Sequence, residues 1–429
     1  VRGVEAAEAL EARLGDPTLP DNPHGYHAIT ARDERDEFPT ELTSALRESG
    51  FHLAYLPERL GGTFTGFEDS LVLVRTAARR DLAAMPATMF SITAAVCLLL
   101  RGSPGQLDDA ARLLASGGSI GFALSEADHG SDLLANTVRL RPAGDGSGAL
   151  ALDGRKWLVG RGQTCESAYV VARTGERGPA AFTAVLVDLT DPECAPRVRR
   201  GPAVRTTGMR GIDFAHLDFD AFPVRPDQVV GGPGEGLESA MRAQQVVRVM
   251  SLAGSLGCAD TALRATLGFA NFRALGRKPL IAAGHPRREL AVAAAALLAA
   301  DATALAAARG LHVAPETFSV WGGCGQARRR RGHHRSDAAV RRGALQHGDA
   351  ARRGPGRRGV PEGHAGRGPG AGGGHQHGGQ PPLLRRPTAG RRRPDAGPGH
   401  AGGAGGAGGP DPVGLPRRGR PAAVRAGAA

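Results

Sequence analysis

Two short segments carry most of the chemistry this chain can offer. Phe122-Ala-Leu-Ser-Glu-Ala-Asp-His-Gly-Ser-Asp132 ends an apolar run in Ser-Glu and enters a Gly-Ser-Asp turn. Hydroxyls and backbone N–H groups in that order suit the polar edge of a ring or a phosphate, and they also suit an ordinary β-loop. On residue chemistry alone the loop reading has the advantage. After a variable stretch comes Leu152-Asp-Gly-Arg-Lys-Trp-Leu-Val-Gly-Arg-Gly162. Further on, Arg273-Ala-Leu-Gly276 offers a guanidinium suited to bidentate pairing with phosphate oxygens, or merely a solvated cation at a helix end. Arg248 lies in an apolar helical stretch, where it either pairs a carboxylate or caps the surface of a bundle. His129 reads as a loop filler, and Gly231 to Gly236 as a connector rather than a phosphate cradle. Five cysteines without a C-x-x-C pair (Cys97, Cys165, Cys194, Cys258, Cys324) argue against a disulfide framework or a zinc module, and for a reducing, cytoplasmic setting.

The elements that must position these residues change character along the chain. Residues 1–116 read as an α-helical domain. Leu42 and Leu46 stand four apart before a stop at Gly50, and Leu71–Arg80 and Met85–Leu100 are apolar helical stretches. Residues 117–232 switch to short strands at Ile120–Leu124, Ala149–Leu152, Lys156–Val159, Tyr169–Ala172, Phe182–Val187 and His216–Phe219. Asp153-Gly154 reads as a hairpin turn, because both residues tolerate positive φ. The expectation is an antiparallel, barrel-like β domain. Residues 233–321 return to long helices over Leu237–Leu275 and Glu289–Arg309, a partial carboxy-terminal bundle. The fold class expected is therefore a multidomain α+β protein with a disordered tail over 322–429. The charged start leads into no apolar leader, and the apolar stretches read as too interrupted to cross a membrane.

Charge needs to be located before it is interpreted. The 429 residues carry 54 basic and 42 acidic side chains, a net of +12 that by itself would suggest an anionic polymer as partner. Beyond Trp321 there are 21 Arg against four Asp and one Glu, so residues 1–321 hold 33 basic and 37 acidic residues and are mildly acidic. The tail lacks Phe, Tyr, Trp, Ile, Met, Lys and Asn altogether, too little apolar surface to offset ordering entropy. It has no aromatics for base stacking, which argues against nucleic acid. Loss of seven residue types at one point is what a displaced reading frame in a GC-rich gene produces, and Gly322-Gly-Cys-Gly-Gln326 is compatible with Ala-Ala-Val-Ala-Lys in the neighbouring frame.

Taken together, the two segments resemble the acyl-CoA dehydrogenase family, whose T-E-x-x-x-G-S-D strand and N-G-x-K-x-W-I-T-N-G stretch form a flavin wall. The resemblance runs over about residues 35–321. It includes Gly50-Phe-His-Leu-Ala-Tyr-Leu-Pro-Glu-Arg-Leu-Gly-Gly62, Gly208 to Asp220, and the helix–β–helix order. It implies FAD as cofactor, with Leu124 and Ser125 hydrogen-bonded to the flavin ring, Phe122 alongside, and Ser131 near the pyrophosphate. Leu158, Val159 and Gly160 take the Trp-Ile-Thr positions, so the resemblance predicts backbone contacts there without the family's aromatic ring or hydroxyl. Arg273 matches the arginine that reaches the FAD pyrophosphate of a neighbouring subunit, which implies a homo-oligomer.

The activity implied is α,β-dehydrogenation of an acyl thioester on CoA or an acyl carrier protein, with electrons passed to a transfer partner or oxygen. It needs a carboxylate base in a dry pocket. Of the two places the family keeps that base, one falls in the tail and the other is Val247, so no catalytic base is identified. Two alternatives remain open at this point: a flavin-dependent monooxygenase on the same fold, and a non-catalytic protein whose basic tail binds nucleic acid.

Overall fold

The computed structural model describes residues 2–317 except 145 and 147, together with 319. The tail 322–429, with the expectations of disorder and frame displacement placed on it, lies outside the described residues.

Helices come first. α1 (Arg2–Leu14), α2 (Tyr26–Arg35), α3 (Thr40–Glu48), α4 (Phe67–Arg80), α5 (Ala84–Met89), α6 (Ile92–Arg101) and α7 (Pro104–Ala115) precede the sheet. The apolar run 85–100 is thus two helices. α7 starts at a full capping box, in which Ser103 Oγ accepts from Gln106 N and Gln106 Oε1 accepts from Ser103 N, with Pro104 in the first turn. The strands follow: β1 (Ile120–Ala123), β2 (Arg139–Pro142), β3 (Leu150–Gly160), β4 (Ser167–Arg173), β5 (Phe182–Asp188), β6 (Val198–Arg200), β7 (Phe214–Val224) and β8 (Val229–Val230). Then α8 (Gly236–Phe272) leads through a small hairpin, β9 (Ala274–Leu275) and β10 (Lys278–Pro279), to α9 (Gly284–Val313).

The sheet corrects the expectation of an antiparallel barrel. Its order is β6-β7-β3-β2-β4-β5-β8 with β1 beside β4, and the path is open. β1 runs parallel to β4, as does the short β2 contact, while the other pairs are antiparallel. Asp153-Gly154 is not a hairpin turn. It lies inside the 11-residue β3, where the register with β7 slips between Leu152 and Gly154. Gly154 adopts φ 119°, and Asp153 Oδ1 accepts from Ala221 N across the slip. The same local preference for positive φ that makes a turn makes a bulge when both flanks find the same partner strand.

Side chains alternate across the sheet, as a period of two requires. Ile120, Leu124, Tyr169, Val171, Phe182 and Ala184 join the core of the helices. Ala123, Ala168, Val170, Ala172, Val185 and Val187 belong to a second core made by the sheet itself. β1 and β4 are therefore buried on both faces, and the first face is the one presented to the helices.

α8 packs on α4, α6, α9 and β5, with Leu252, Ala253 and Leu256 buried. Its last turns and much of α9 are exposed, including Phe272, Leu298 and Val313. The expectation that no apolar stretch is long enough for a membrane is also corrected. By length and composition Ala84–Arg101, α8 and α9 each reach it, with 67%, 50% and 11% of their most apolar windows buried. Alanine-rich helices with few charges meet that criterion even when one face packs on protein.

Candidate functional site

Ser125 and the end of β3 meet on the helix-facing side of the sheet. Trp157 N donates to Ser125 O at 2.9 Å, which joins the two segments through their backbones. Beneath that joint lies an ion pair absent from the expected site. Lys156 Nζ, completely buried, donates to Glu126 Oε1 at 2.9 Å and to Leu124 O at 3.1 Å. Glu126 also accepts from Thr137 N (2.6 Å), Thr137 Oγ1 (2.8 Å) and Val138 N (3.0 Å), and Asn136 Nδ2 donates to Leu124 O at 2.8 Å. Burial pushes the Lys156 ammonium below its ordinary value, against the raising effect of Glu126. Burial pushes Glu126 upward, yet the charge of Lys156 and these hydrogen bonds outweigh it and hold the carboxyl below its ordinary value. A buried charge pair with its remaining lone pairs satisfied braces the wall and fixes its geometry. A Glu following Ser125 and a Lys in β3 beside Trp157 were the sequence signal for it; only their pairing was hidden.

The expected site residues are distributed as follows. Leu124 is buried in the helix-facing core and Ser125 is half-buried, its hydroxyl without a hydrogen bond among the described residues. Phe122 stacks on Tyr169 with ring centroids 5.9 Å apart and planes 19° apart. Ser131 is exposed in the turn after His129, and His129 N donates to Glu126 O at 3.2 Å, as a turn residue does. A second register slip between Lys156 and Val159 lifts Leu158 off the β7 ladder at φ 52°, an uncommon conformation for a branched residue. Val159 is buried in the second core, so it offers the wall only its backbone. At Gly160, an added Cβ would lie 2.3 Å from the Phe90 ring, which itself packs edge-on against Phe214 at 5.2 Å. Glycine is required there because Phe90 occupies the space a side chain would use.

Arg273 stands apart from this group. It ends α8, about 55 Å along the helix from Gly236 at 1.5 Å per residue. It is exposed, and its guanidinium has no partner among the described residues. Val247 is half-buried against the helical core, and Arg248 Nη1 donates to Gln245 Oε1 at 2.9 Å. In the loop before α8, Gly232 N donates to Glu235 Oε2 at 2.9 Å and Gly234 N to Thr183 Oγ1 at 3.0 Å, so those N–H groups serve the fold.

A flavin can be tested against this donor set. The unused Ser125 hydroxyl and the half-buried backbone corner at Leu158 fit a heterocycle edge laid along the wall. The family's hydroxyl, already absent at Gly160, would have no room beside Phe90. The wall thus fits the cofactor through Ser125 and the backbone, without the family's aromatic ring at Leu158 and with the Phe90 ring where its hydroxyl would stand.

Comparison with known proteins agrees with this geometry. Family profiles described as acyl-CoA dehydrogenase N-terminal, middle and C-terminal domains match residues 26–118, 121–222 and 234–321. The probable acyl-CoA dehydrogenase FadE25 of Mycobacterium tuberculosis is 27% identical over 242 residues, 56% of this chain and 61% of its own. The chain therefore spans about three fifths of the length of the curated relatives it matches. Butyryl-CoA dehydrogenase from Megasphaera elsdenii superposes with TM-score 0.70 at 21% identity, over 79% of this chain and 86% of that one. The prolyl acyl carrier protein oxidase AnaB superposes with TM-score 0.70 at 16% identity, over 79% and 87%. With the three profiles falling in order on the helices, the braced wall and the long-helix region, the chain belongs to the acyl-CoA dehydrogenase family.

Proposed function

We propose that this chain derives from a FAD-dependent acyl-thioester dehydrogenase that introduces an α,β double bond, and that in its present form it lacks the proton-abstracting step. The observation that carries the reading is the wall of Ser125 and Trp157–Gly160, held by the Glu126–Lys156 pair in a chain of this family. FAD is the family's cofactor and, when bound, supplies the hydride acceptor. Leu124, Ser125 and the backbone of Leu158, Val159 and Gly160 would hold its ring, with Phe122 alongside and Ser131 toward the pyrophosphate. Arg273, exposed at the end of α8, would serve the pyrophosphate of a neighbouring copy in a homo-oligomer. Leu124, with Phe90 opposite Gly160, would exclude water from the wall. Removal of the α-proton requires a carboxylate on the far side of the substrate. Val247 cannot accept a proton. The carboxylates of the described carboxy-terminal part are paired elsewhere (Glu235 with Arg101, Glu238 with Arg242, Asp260 with Arg79, Asp301 with Arg75) or exposed (Glu289, Glu316).

The carrier is CoA or an acyl carrier protein, the second choice drawing support from the likeness to AnaB, and the electrons pass to an electron-transferring flavoprotein or to oxygen. The free Cys97, Cys165, Cys194 and Cys258 support a cytoplasmic setting. Val247 equally suits a flavin-dependent monooxygenase, which has no α-proton to remove.

The test is anaerobic reconstitution of the full chain with FAD followed by addition of an acyl-CoA. The flavin absorbance is expected to persist in this chain and to bleach in Val247→Glu. Bleaching and turnover by the unaltered chain would overturn the missing-base reading; NADH-reductase-dependent hydroxylation would favour the monooxygenase. Resequencing the gene across Trp321 tests the displaced frame, and an uninterrupted frame removes it.

A further inference from the structure

A second cleft lies on the other side of Phe90, between α3, α7 and the turn that follows β3. Arg47, His52, Ser91, Ser119 and Arg161 line it, with Phe90 and Tyr55 supplying an apolar wall. Its space, about 310 Å³ counted out to the open mouth, narrows to room for a single water-sized group. Two guanidiniums face one cleft, and neither forms an ion pair among the described residues. Burial first, then the neighbouring charge of Arg161, depresses Arg47. Glu166 is the carboxylate felt by Arg47, but its Oε2 is already bound by Ser119 N at 2.8 Å and Ser119 Oγ at 3.2 Å. Arg161 is held in place by its backbone (N to Asp213 O at 2.7 Å, φ 61°) and by its guanidinium over the Phe38 ring at 5.1 Å. Its Nε and the Nδ1 of His52 are both buried without a hydrogen-bond partner. Burial and Arg47 also hold His52 below its ordinary value.

Among the described residues, two guanidiniums without an ion pair, brought together in a partly buried cleft with orphaned polar atoms beside them and only Glu166, already held by Ser119, within electrostatic reach, are arranged for an anion. We propose that this cleft binds the head of one oxyanion, a carboxylate or a phosphate, between Arg47 and Arg161. Phe90 separates it from the wall at Gly160, so the same ring bounds both sites. The anion has two possible sources: a free ion, or the distal carboxylate of an acyl group. Only the second rests on the function proposed above.

The experiment is calorimetric titration of the full chain with inorganic phosphate and with succinate at constant ionic strength. Saturable binding is expected, weakened at least about ten-fold in Arg47→Gln/Arg161→Gln, and unchanged in Arg141→Gln, an exposed arginine paired with Asp153 elsewhere. Absence of binding to the folded chain, or binding undiminished in the double variant, overturns the proposal. A preference for succinyl-CoA over butyryl-CoA that disappears in the double variant assigns the site to a substrate carboxylate; phosphate binding without that preference assigns it to a free anion. If the double variant does not fold, phenylglyoxal labelling of the unaltered chain decides. Protection of Arg47 and Arg161 by phosphate supports the site, and equal labelling with and without it overturns it.

Discussion

Two charged arrangements flank the face where sheet meets helices, and they have been built to opposite rules. Glu126 and Lys156 are buried and mutually paired, and the carboxylate's other lone pairs go to backbone and hydroxyl donors. Arg47 and Arg161 are half-buried, of like sign and without a carboxylate partner. The contrast teaches what burial asks of a charge. A satisfied pair is spent on shape, so it braces the wall and has nothing left to give a ligand. An unsatisfied pair keeps its hydrogen-bonding capacity for something that is not part of the chain.

The sharpest way to break this contrast is Lys156→Met. It leaves Glu126 buried beside an apolar chain and is expected to cost about 3–5 kcal/mol in urea denaturation, the range for removing one partner of a buried pair. A loss near zero would mean the pair is no brace. Next, Gly160→Thr, which restores the family's hydroxyl, forces a Cβ into the Phe90 ring and is expected to cost about 1–3 kcal/mol as overpacking. Adding Phe90→Ala should recover much of that cost. A double-mutant cycle measures the coupling, and additive costs would show that Phe90 does not define the position.

A third test uses pH. The native carboxyl of Glu126 lies below its ordinary value of about 4.5, so its contribution is complete above that pH and is lost as the pH falls through the lower, folded value. Stability measured from neutral pH downward should drop in that acid window, and Glu126→Gln should flatten the drop; an unchanged slope would remove Glu126 as its source. The smallest effect is expected at the other arrangement. Arg47→Gln in the absence of added anion should change stability by less than about 0.5 kcal/mol, because it breaks no pair and relieves a repulsion. A loss above 2 kcal/mol would mean that Arg47 serves the fold.

Much of the fold was legible because its signals are local. Leu42 and Leu46 four apart, the stop at Gly50 and the switch to short apolar runs after Gly118 each reflect a period or a backbone preference that needs no distant partner. The errors came where a local signal admits two tertiary outcomes. Asp153-Gly154 tolerates the same positive φ in a turn and in a bulge, and β7 running beside both flanks chose the bulge. β1 looks alike in parallel and antiparallel pairing, and β4 made it parallel.

The order of helices and strands, and the two motif segments that carry the family, follow from the order of residues alone. Both are written in spacing. The tertiary structure alone decided which charges meet. Glu126 and Lys156 are 30 residues apart and became a brace, and Gly160 is a glycine because Phe90 arrives from α5 and α6. Arg47 and Arg161 come from a helix and from the end of a strand. Coulomb energy and steric exclusion act through distance in space, and no local period records that distance.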